Sequence, residues 1–320
     1  MPKEWYVSFH GGEEKASFNN IHVYSTDGKE LRKALNKKSL PEGIKLRELR
    51  GFVFGPDQNL YVVNAYFEYS EVLKFKGTLN ENGQHDFVDV FVKRHAEMNP
   101  GIDHPFNLAF DSEGDLYVSS QNTSIVARYH GPASKTGTPG TPMPFPDGLA
   151  LQKGDLPPGT FVPSAKLVSN GLLDVRAVIF APNNNLYVAD RAADCVRIYE
   201  GRTGRHLRNL VSRSDQLDKP IHLLLSPDGR YLLVGSGGND SILRHDLRQG
   251  ASLLRQSLGA LMVPLEWHLA TMASSMLPVA IQSKYFVTVQ LMVGPGESHS
   301  LRTWRITRSF WCWWAAELLQ

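Results

Sequence analysis

The sequence predicts an all-β fold, a β-propeller of four-stranded blades, and three observations support that prediction. A segment with one pattern recurs at residues 51–65, 107–121, 177–191 and 222–237. Each copy has a short apolar strand, a turn rich in Asp, Asn, Gly or Pro, and a second strand resembling Leu-Tyr-Val. A third apolar strand follows each copy, and recurrence at this scale is typical of propellers.

The first blade is incomplete at the N-terminus. Trp5–His10 matches the Leu-Tyr-Val strand, and Asn20–Lys29 matches the third strand and its turn. The innermost strand of this blade is therefore missing at the start. Closed propellers commonly take that strand from the C-terminus, which leaves no sheet edge exposed.

Four further blades follow in order. The segment after Gly201–Gly204, such as His206–Ser212, can supply a fourth, outermost strand. The longest insertion, Gly131–Pro163, is rich in Pro, Gly and Thr and predicts a surface loop. The third strands of these blades are predicted at residues 71–76, 124–130, 195–200 and 241–247.

The blade pattern stops at about residue 250. We therefore assign residues 1–250 to propeller blades and residues 251–320 to an aberrant C-terminal segment. Within that segment, residues 309–314 contain three Trp and one Cys, which is unusual for a β-strand.

The genetic code suggests a cause for this aberrant segment. We read the third base of each codon in this segment together with the first two bases of the next codon. At some positions this shifted frame allows only one or two amino acids, whichever synonymous codons are used. Five such positions allow Ala, Gly, Val, Val and Arg, at one constant offset from an intact blade. The matching residues of the third blade are Ala109, Gly114, Val118, Val126 and Arg128. We therefore expect a frameshift or misplaced intron boundary within residues 248–262. The predicted fold is a six-bladed propeller whose C-terminal blade and closing strand are disrupted in this sequence.

Composition restricts the possible partners. The 34 basic and 32 acidic residues nearly balance, so no electrostatic footprint for nucleic acid is present. No apolar run is long enough for a membrane span, and the charged N-terminus lacks the apolar core of a signal peptide. Only Cys195 and Cys312 occur, which does not indicate a disulfide framework. We expect a cytoplasmic protein whose partners are hydrophobic small molecules.

Candidate site residues flank the inner strands, because equivalent positions in the blades converge on the axis of the ring. Arg50 and Arg176 can hold an anionic or carbonyl oxygen, although they can equally bridge two blades. His222 can act as a general acid or base, or be a structural histidine, and Tyr66 is a further candidate donor. His104 is interpreted as a loop residue. Candidate substrate-binding residues are Asn64, Phe106, Asn107, Gln121, Asn122, Asp190 and Arg191.

Neither a metal nor another cofactor is predicted. Asn64, Asn122 and Asp190 carry the oxygen atoms that calcium prefers. One carboxylate among amides is, however, a poor ligand set for a tight divalent site. Tyr61 and Tyr117 recur at blade spacing and are expected in the core.

The segments D-x-x-G-x-L-Y-V and L-Y-V-A-D resemble those of NHL-repeat and gluconolactonase-type six-bladed propellers, over residues 5–247. Lactonases of that kind hold a divalent ion through a Glu, an Asn and an Asp, and Asn64 and Asp190 match two of these. A Glu in an N-terminal E-G-P-type setting is missing from this sequence. The resemblance thus leaves open a metal-dependent lactonase or a non-catalytic NHL-like interaction scaffold.

A narrower resemblance is to the fungal hetero-Diels-Alderases of tropolone–sesquiterpene pathways, which are cofactor-free propellers of this size. It implies an enzyme that joins a tropolone quinone methide to a humulene-type alkene in an apolar channel. Catalysis would consist of orienting the two reactants and polarising the quinone carbonyl. Arg50, Arg176, Tyr66 and His222 are the candidate donors, chosen by their position in the ring.

Overall fold

The structure, a computed structural model, confirms an all-β propeller. The residues that it describes are 4–9, 19–65, 70–95, 97–146, 156–212, 216–226, 228–248, 254–257, 277–278 and 288–292. Among them, no helix has the length and apolar character needed to cross a membrane.

The described strands have the following bounds in chain order. They are β1 (Glu4–Phe9), β2 (Asn20–Ser25), β3 (Glu30–Lys33), β4 (Leu49–Phe54), β5 (Leu60–Asn64), β6 (Glu71–Leu79), β7 (His85–Lys93), β8 (Pro105–Phe110), β9 (Leu116–Ser120), β10 (Ile125–Tyr129), β11 (Thr160–Val162), β12 (Val175–Phe180), β13 (Leu186–Asp190), β14 (Cys195–Tyr199), β15 (His206–Val211), β16 (Pro220–Leu225), β17 (Tyr231–Ser236), β18 (Ser241–Asp246), β19 (Leu254–Ser257), β20 (Leu277–Pro278) and β21 (Thr288–Met292). A short 3-10 helix, Lys37–Ser39, follows β3.

These strands form five antiparallel sheets. Four of them are regular blades in chain order, namely β4–β7, β8–β11, β12–β15 and β16–β19. The fifth sheet has the order β20-β21-β1-β2-β3. The inner strands β4, β8, β12 and β16 lie side by side, and β20 contacts β16 while β21 contacts β4. The sheets therefore surround a common axis.

The blade that is incomplete at the N-terminus pairs with two short strands from the C-terminal segment. Thr288–Met292 pairs with Glu4–Phe9 in an antiparallel register, with Val289 opposite Val7. Most of residues 251–320 lie outside the described residues. The sixth blade and the change of reading frame within 248–262 therefore stay predictions.

The described part of the insertion between β10 and β11 of the third blade is not only a surface loop. Thr160–Val162, which the composition assigned to that loop, is the outer strand β11 and pairs with β10. Upstream, Pro142 forms a bridge with Tyr129, and Met143 N donates to Arg128 O at 3.0 Å. The backbone amides here find partners on β10, which composition alone does not reveal.

The hairpins and the contacts between blades explain the recurring sequence pattern. Each inner hairpin turn contains one residue with positive φ, at Gln58, Gly114, Asn184 or Gly229, and three of these four are the Gly or Asn that the turn chemistry predicts. The Tyr of the Leu-Tyr-Val strand is buried between two blades, as expected for the core. Tyr117, for example, makes edge contacts with Phe161 and Phe180 at centroid distances of 4.9 and 4.7 Å.

Candidate functional site

The inner strands β4, β8, β12 and β16 all begin with the same irregularity. The first residue of each pairs with the last residue of the second strand of its blade, and the register then shifts. Such bulges bend a strand and re-aim its side chains. The residues that directly follow the first pair are Arg50, Phe106, Arg176 and Ile221. They therefore occupy equivalent positions at one end of the channel.

We call Arg50, Phe106, Arg176 and His222 the channel-mouth cluster. The guanidinium carbon of Arg50 lies 5.1 Å from the centroid of the Phe106 ring, and that of Arg176 lies 5.4 Å from it. The His222 ring is 5.7 Å from the same ring. All four residues are buried, with 2–7% of their surface exposed. The structure thus brings three of the sequence-predicted site residues into contact with a fourth, Phe106, and the electrons of that ring attract both guanidinium groups.

Two carboxylates orient the guanidinium groups. Glu48 forms an ion pair with Arg50, and Asp174 forms one with Arg176. Asp174 also binds Arg191, with 3.1 Å between Oδ2 and Nη1. Sequence analysis missed both acids, although a signal was present. Each acid stands two residues before its arginine, just before the inner strand begins.

His104 joins this network and is more than a loop residue. Its Nε2 lies 3.2 Å from Glu48 Oε1 and 3.2 Å from Arg50 Nη2. The backbone of His104 has a φ of 52°, and its amide donates to Ser70 Oγ at 2.9 Å. The histidine therefore lies at the outer side of the channel-mouth cluster.

Burial sets the charge state of the cluster. It lowers the pKa of Arg50, and it lowers that of Arg176 to about 10, with a smaller contribution from the positive charge of Arg50. Burial, followed by the charge of Arg50, lowers the pKa of His222 to about 4. At pH 7 Arg176 is therefore protonated and His222 neutral, so His222 cannot serve as a general acid.

Two polar atoms of the cluster remain available for a ligand. Within the described part of the chain, Arg176 Nε and His222 Nε2 are buried and have no hydrogen-bond partner. A buried polar group without a partner is costly, so each of these atoms needs a partner from outside the chain, which a ligand or a water molecule can supply. The arrangement offers hydrogen bonds and positive charge to an oxygen that lies over an aromatic surface.

Asn64 and Asp190 lie at equivalent positions and stabilise the loops that precede the inner strands. Asn64 Oδ1 accepts from Arg47 N at 2.9 Å. The two carboxylate oxygens of Asp190 accept from Leu173 N and Asp174 N, at 3.1 and 3.0 Å. The substrate-binding role of Asn64 and Asp190 stays a prediction that these contacts do not favour.

The divalent ion of gluconolactonase-type propellers does not fit these two residues. Asp190 is fully buried and forms an ion pair with Arg197, with 2.9 Å between Oδ2 and Nη2. Its oxygens, and the amide oxygen of Asn64, already accept bonds from the chain itself. Among the described residues, no group of three or more His, Cys, Asp and Glu is arranged to hold a metal ion.

Asn64 also binds a carboxyl group with an unusual pKa, which leads to a testable prediction. Its Nδ2 donates to Glu71 Oε1 at 2.9 Å, and burial raises the pKa of Glu71 to about 7. Since the folded-state pKa is raised, the folded chain binds more protons, and stability is lost as the pH rises from about 4.5 to about 7. We expect Glu71→Gln to remove this loss and to stabilise the chain by about 1–3 kcal/mol at pH 8, with little gain at pH 4.5.

Urea unfolding of the native chain and of Glu71→Gln at pH 4.5 and 8 measures this difference. The exposed Glu113→Gln is the matched control and should change stability equally little at both pH values. A gain from Glu71→Gln that is the same at both pH values would contradict the prediction.

The remaining predicted site residues that the structure describes form contacts within the chain itself. Asn107 Oδ1 accepts from Val178 N at 3.2 Å and so connects the third and fourth blades. Gln121 and Asn122 lie in the turn after β9, where Asn122 binds Asp103 at 3.2 Å. Arg191 binds Asp174, as described above. Tyr66 lies outside the described residues.

Comparison with known proteins identifies structural neighbours but no family. No known family matches the sequence, and no characterised protein matches it either. Among solved structures, a protein from Lactobacillus plantarum is 15% identical to this chain, with a TM-score of 0.48. The match covers 83% of this chain and 69% of the Lactobacillus plantarum protein. A putative 6-phosphogluconolactonase from Bacteroides uniformis is 14% identical with a TM-score of 0.44, covering 75% and 64%.

A further structural neighbour is a catalytically inactive virginiamycin B lyase from Staphylococcus aureus with quinupristin. It is 9% identical with a TM-score of 0.46, and the match covers 89% of this chain and 80% of the lyase. At these identities the likeness concerns the fold alone. The activities of these proteins do not carry over to this chain.

Proposed function

We propose that this propeller binds a conjugated small molecule at the channel-mouth cluster and activates one of its oxygen atoms without a metal. The observation that carries this proposal is the contact of two buried guanidinium groups with one aromatic ring, at 5.1 and 5.4 Å. A carbonyl or oxyanion oxygen accepts charge-assisted bonds from such groups, which are stronger than neutral ones. A planar ligand body can lie against Phe106 and the apolar Ile221.

The charge balance of the site favours an electron-rich oxygen as the acceptor. Arg50, Arg176 and Arg191 provide three positive charges, against the two carboxylates Glu48 and Asp174. In a site that excludes water, such donors strongly stabilise the charge that develops on a substrate during a reaction. The net positive charge would stabilise negative charge that builds up on the bound oxygen.

The specific reaction that we propose is a cofactor-free hetero-Diels–Alder addition of a tropolone quinone methide to a humulene-type sesquiterpene. A cycloaddition forms its bonds without moving a proton, which agrees with a His222 that is neutral at pH 7 because its pKa is about 4. The donors would polarise the quinone-methide carbonyl. The apolar channel would hold the alkene beside it, and orientation alone accelerates a bimolecular step strongly.

A metal-dependent lactonase is less favoured, because the oxygens of Asn64 and Asp190 already accept hydrogen bonds. A protein-interaction scaffold does not need two buried arginines beside one ring. The experiment below distinguishes both from the cycloaddition.

The purified full chain, mixed with a tropolone quinone methide generated in solution and humulene, is expected to form the adduct in the presence of EDTA. We expect Arg176→Gln to lower kcat by about 100-fold, the usual loss when one donor to a developing oxyanion is removed. Arg208→Gln, which changes an exposed arginine on β15, is the matched control and should retain full activity.

Each alternative outcome identifies another function. Lactone hydrolysis that EDTA abolishes would support the lactonase. An absence of turnover with any small molecule, together with a defined protein partner, would support the scaffold. Adduct formation at the native rate by Arg176→Gln would refute the role of the channel-mouth cluster.

A further inference from the structure

A cavity lies far from the channel-mouth cluster. It has a volume of about 480 Å³ and is lined by β10, by residues 143–146 and by the turn between β14 and β15. The lining residue Arg128 on β10 is next to Tyr129. Tyr129 pairs with Leu116, which pairs in turn with Phe110 at the end of β8. Phe106, in contrast, lies at the start of β8. The two sites are therefore at opposite ends of the blades.

Hydrogen bonds hold one wall of this cavity in place. The segment 131–146 leaves β10 at His130 and returns beside it. Gly140 N donates to His130 O at 2.8 Å, and His130 N donates to Thr141 O at 3.0 Å. His130 Nδ1 lies 3.1 Å from Ser134 Oγ. The loop is thus attached to the blade at several points, and the cavity is formed before any ligand binds.

The opposite wall comes from the fourth blade and approaches very closely. Gly204, in the turn between β14 and β15, has a φ of 71°, and a Cβ there would lie 2.5 Å from Phe161 O. Only glycine fits at this position. The close contact of Gly204 with β11 brings the neighbouring Arg202 and Thr203 to the edge of the cavity.

The lining combines positive charge with apolar surface. Arg128 and Arg202 lie on two different walls, and Met143, Pro144 and Phe145 supply the apolar part. Within the described residues neither arginine lies within ion-pair distance of a carboxylate. The guanidinium carbon of Arg128 is 5.3 Å from the ring of Phe161, which fixes its direction. Glu200, at the start of the turn, binds Thr203 and pairs with Arg205. The Thr203 hydrogen bond lowers the pKa of Glu200, and the charge of Arg202 also helps to lower it by a smaller amount.

We propose that this cavity, between the third and fourth blades, is a second small-molecule site that binds an organic anion with an apolar body. A volume near 480 Å³ lies within the usual range for sites that hold drug-sized ligands. A carboxylate or sulfonate group would pair with Arg128 and Arg202. The apolar body would contact Met143 and Phe145, where water is released on binding.

Calorimetric titration of the full chain with 2-naphthoate and with the uncharged 2-naphthalenemethanol tests the proposal. The two probes share a ring system and differ in charge. We expect the native chain to bind the naphthoate about tenfold more tightly, because the anion gains charge-assisted bonds. Arg202→Gln should reduce this preference to about threefold, and the double variant with Arg128→Gln should abolish it.

Three controls make the result decisive. Arg202 is exposed, so its variant keeps the fold even where Arg128→Gln fails to fold. Arg208→Gln, on the same blade, should keep the full preference. Met143→Ser should weaken both probes equally. Three results would each overturn the proposal. The native chain could bind both probes with equal affinity, or the preference for the naphthoate could persist in Arg202→Gln and in the double variant. The third result is loss of the preference in Arg176→Gln.

Discussion

Replacement of Asp190 by alanine is expected to lower the free energy of unfolding by about 3–5 kcal/mol, the usual loss when one partner of a buried ion pair is removed. Asp190 is fully buried, and its carboxylate binds two loop amides and Arg197. The side chain of Arg197 is only 12% exposed. The substitution therefore leaves a buried guanidinium group and two amides without their acceptor.

The matched control for this prediction is Asp190→Asn. The equivalent position of the second blade is Asn64, whose amide oxygen accepts a bond from a loop amide. We therefore expect Asp190→Asn to keep one such bond but to lose the charge that faces Arg197, and so to cost less than Asp190→Ala, about 2–3 kcal/mol. Urea unfolding monitored by circular dichroism measures both values. Near-native stability of Asp190→Ala would contradict the prediction. A loss of stability that appears only when a divalent cation is present would also show that Asp190 has another role.

Replacement of Tyr117 by alanine is expected to cost about 3–5 kcal/mol, as for other large aromatic side chains in a packed core. Tyr117 is fully buried and joins the third and fourth blades through Phe161 and Phe180. Its hydroxyl donates to Asp111 Oδ2 at 3.2 Å. Loss of the ring would leave a cavity that the rigid blades on both sides cannot fill.

Tyr117→Phe separates the ring from the hydroxyl. The ring contacts remain in this variant, so we expect it to lose only about 1 kcal/mol, the net value of one hydrogen bond. Chemical denaturation of the two variants gives the difference directly. Equal losses for Phe and Ala would mean that the hydroxyl, and not the packing between blades, dominates at this position.

The channel-mouth cluster could be predicted in part from the order of residues along the chain. Because the blade repeats, Arg50 and Arg176 had to lie at the same level of the ring, and Phe106 had to lie between them. The contacts of both guanidinium groups with one ring depend on the side-chain directions after the bulges, which no local pattern encodes. The acid partners Glu48 and Asp174 were missed even though the spacing acid-x-Arg occurs in both blades.

Asn64 and Asp190 illustrate why position alone is not enough. Both are the last residue of a Leu-Tyr-Val-type strand, where polar residues of a propeller often face a ligand. Their side chains instead bind the amides of the preceding loop. A buried amide needs an acceptor, and the loop before each inner strand contains amides that the sheet does not pair. Ser120 and Ser236 act similarly in the other two blades.

The sequence by itself determined the propeller, because alternating apolar residues and turn residues act over a few positions and recur in every blade. It also determined which residues share a level of the ring. Only the tertiary structure decided which polar groups face the axis and which bind the chain itself. It alone formed the cavity between the third and fourth blades. These features depend on the distance between segments remote in sequence, such as Gly204 and Phe161, and side-chain hydrogen bonds form only when such segments meet.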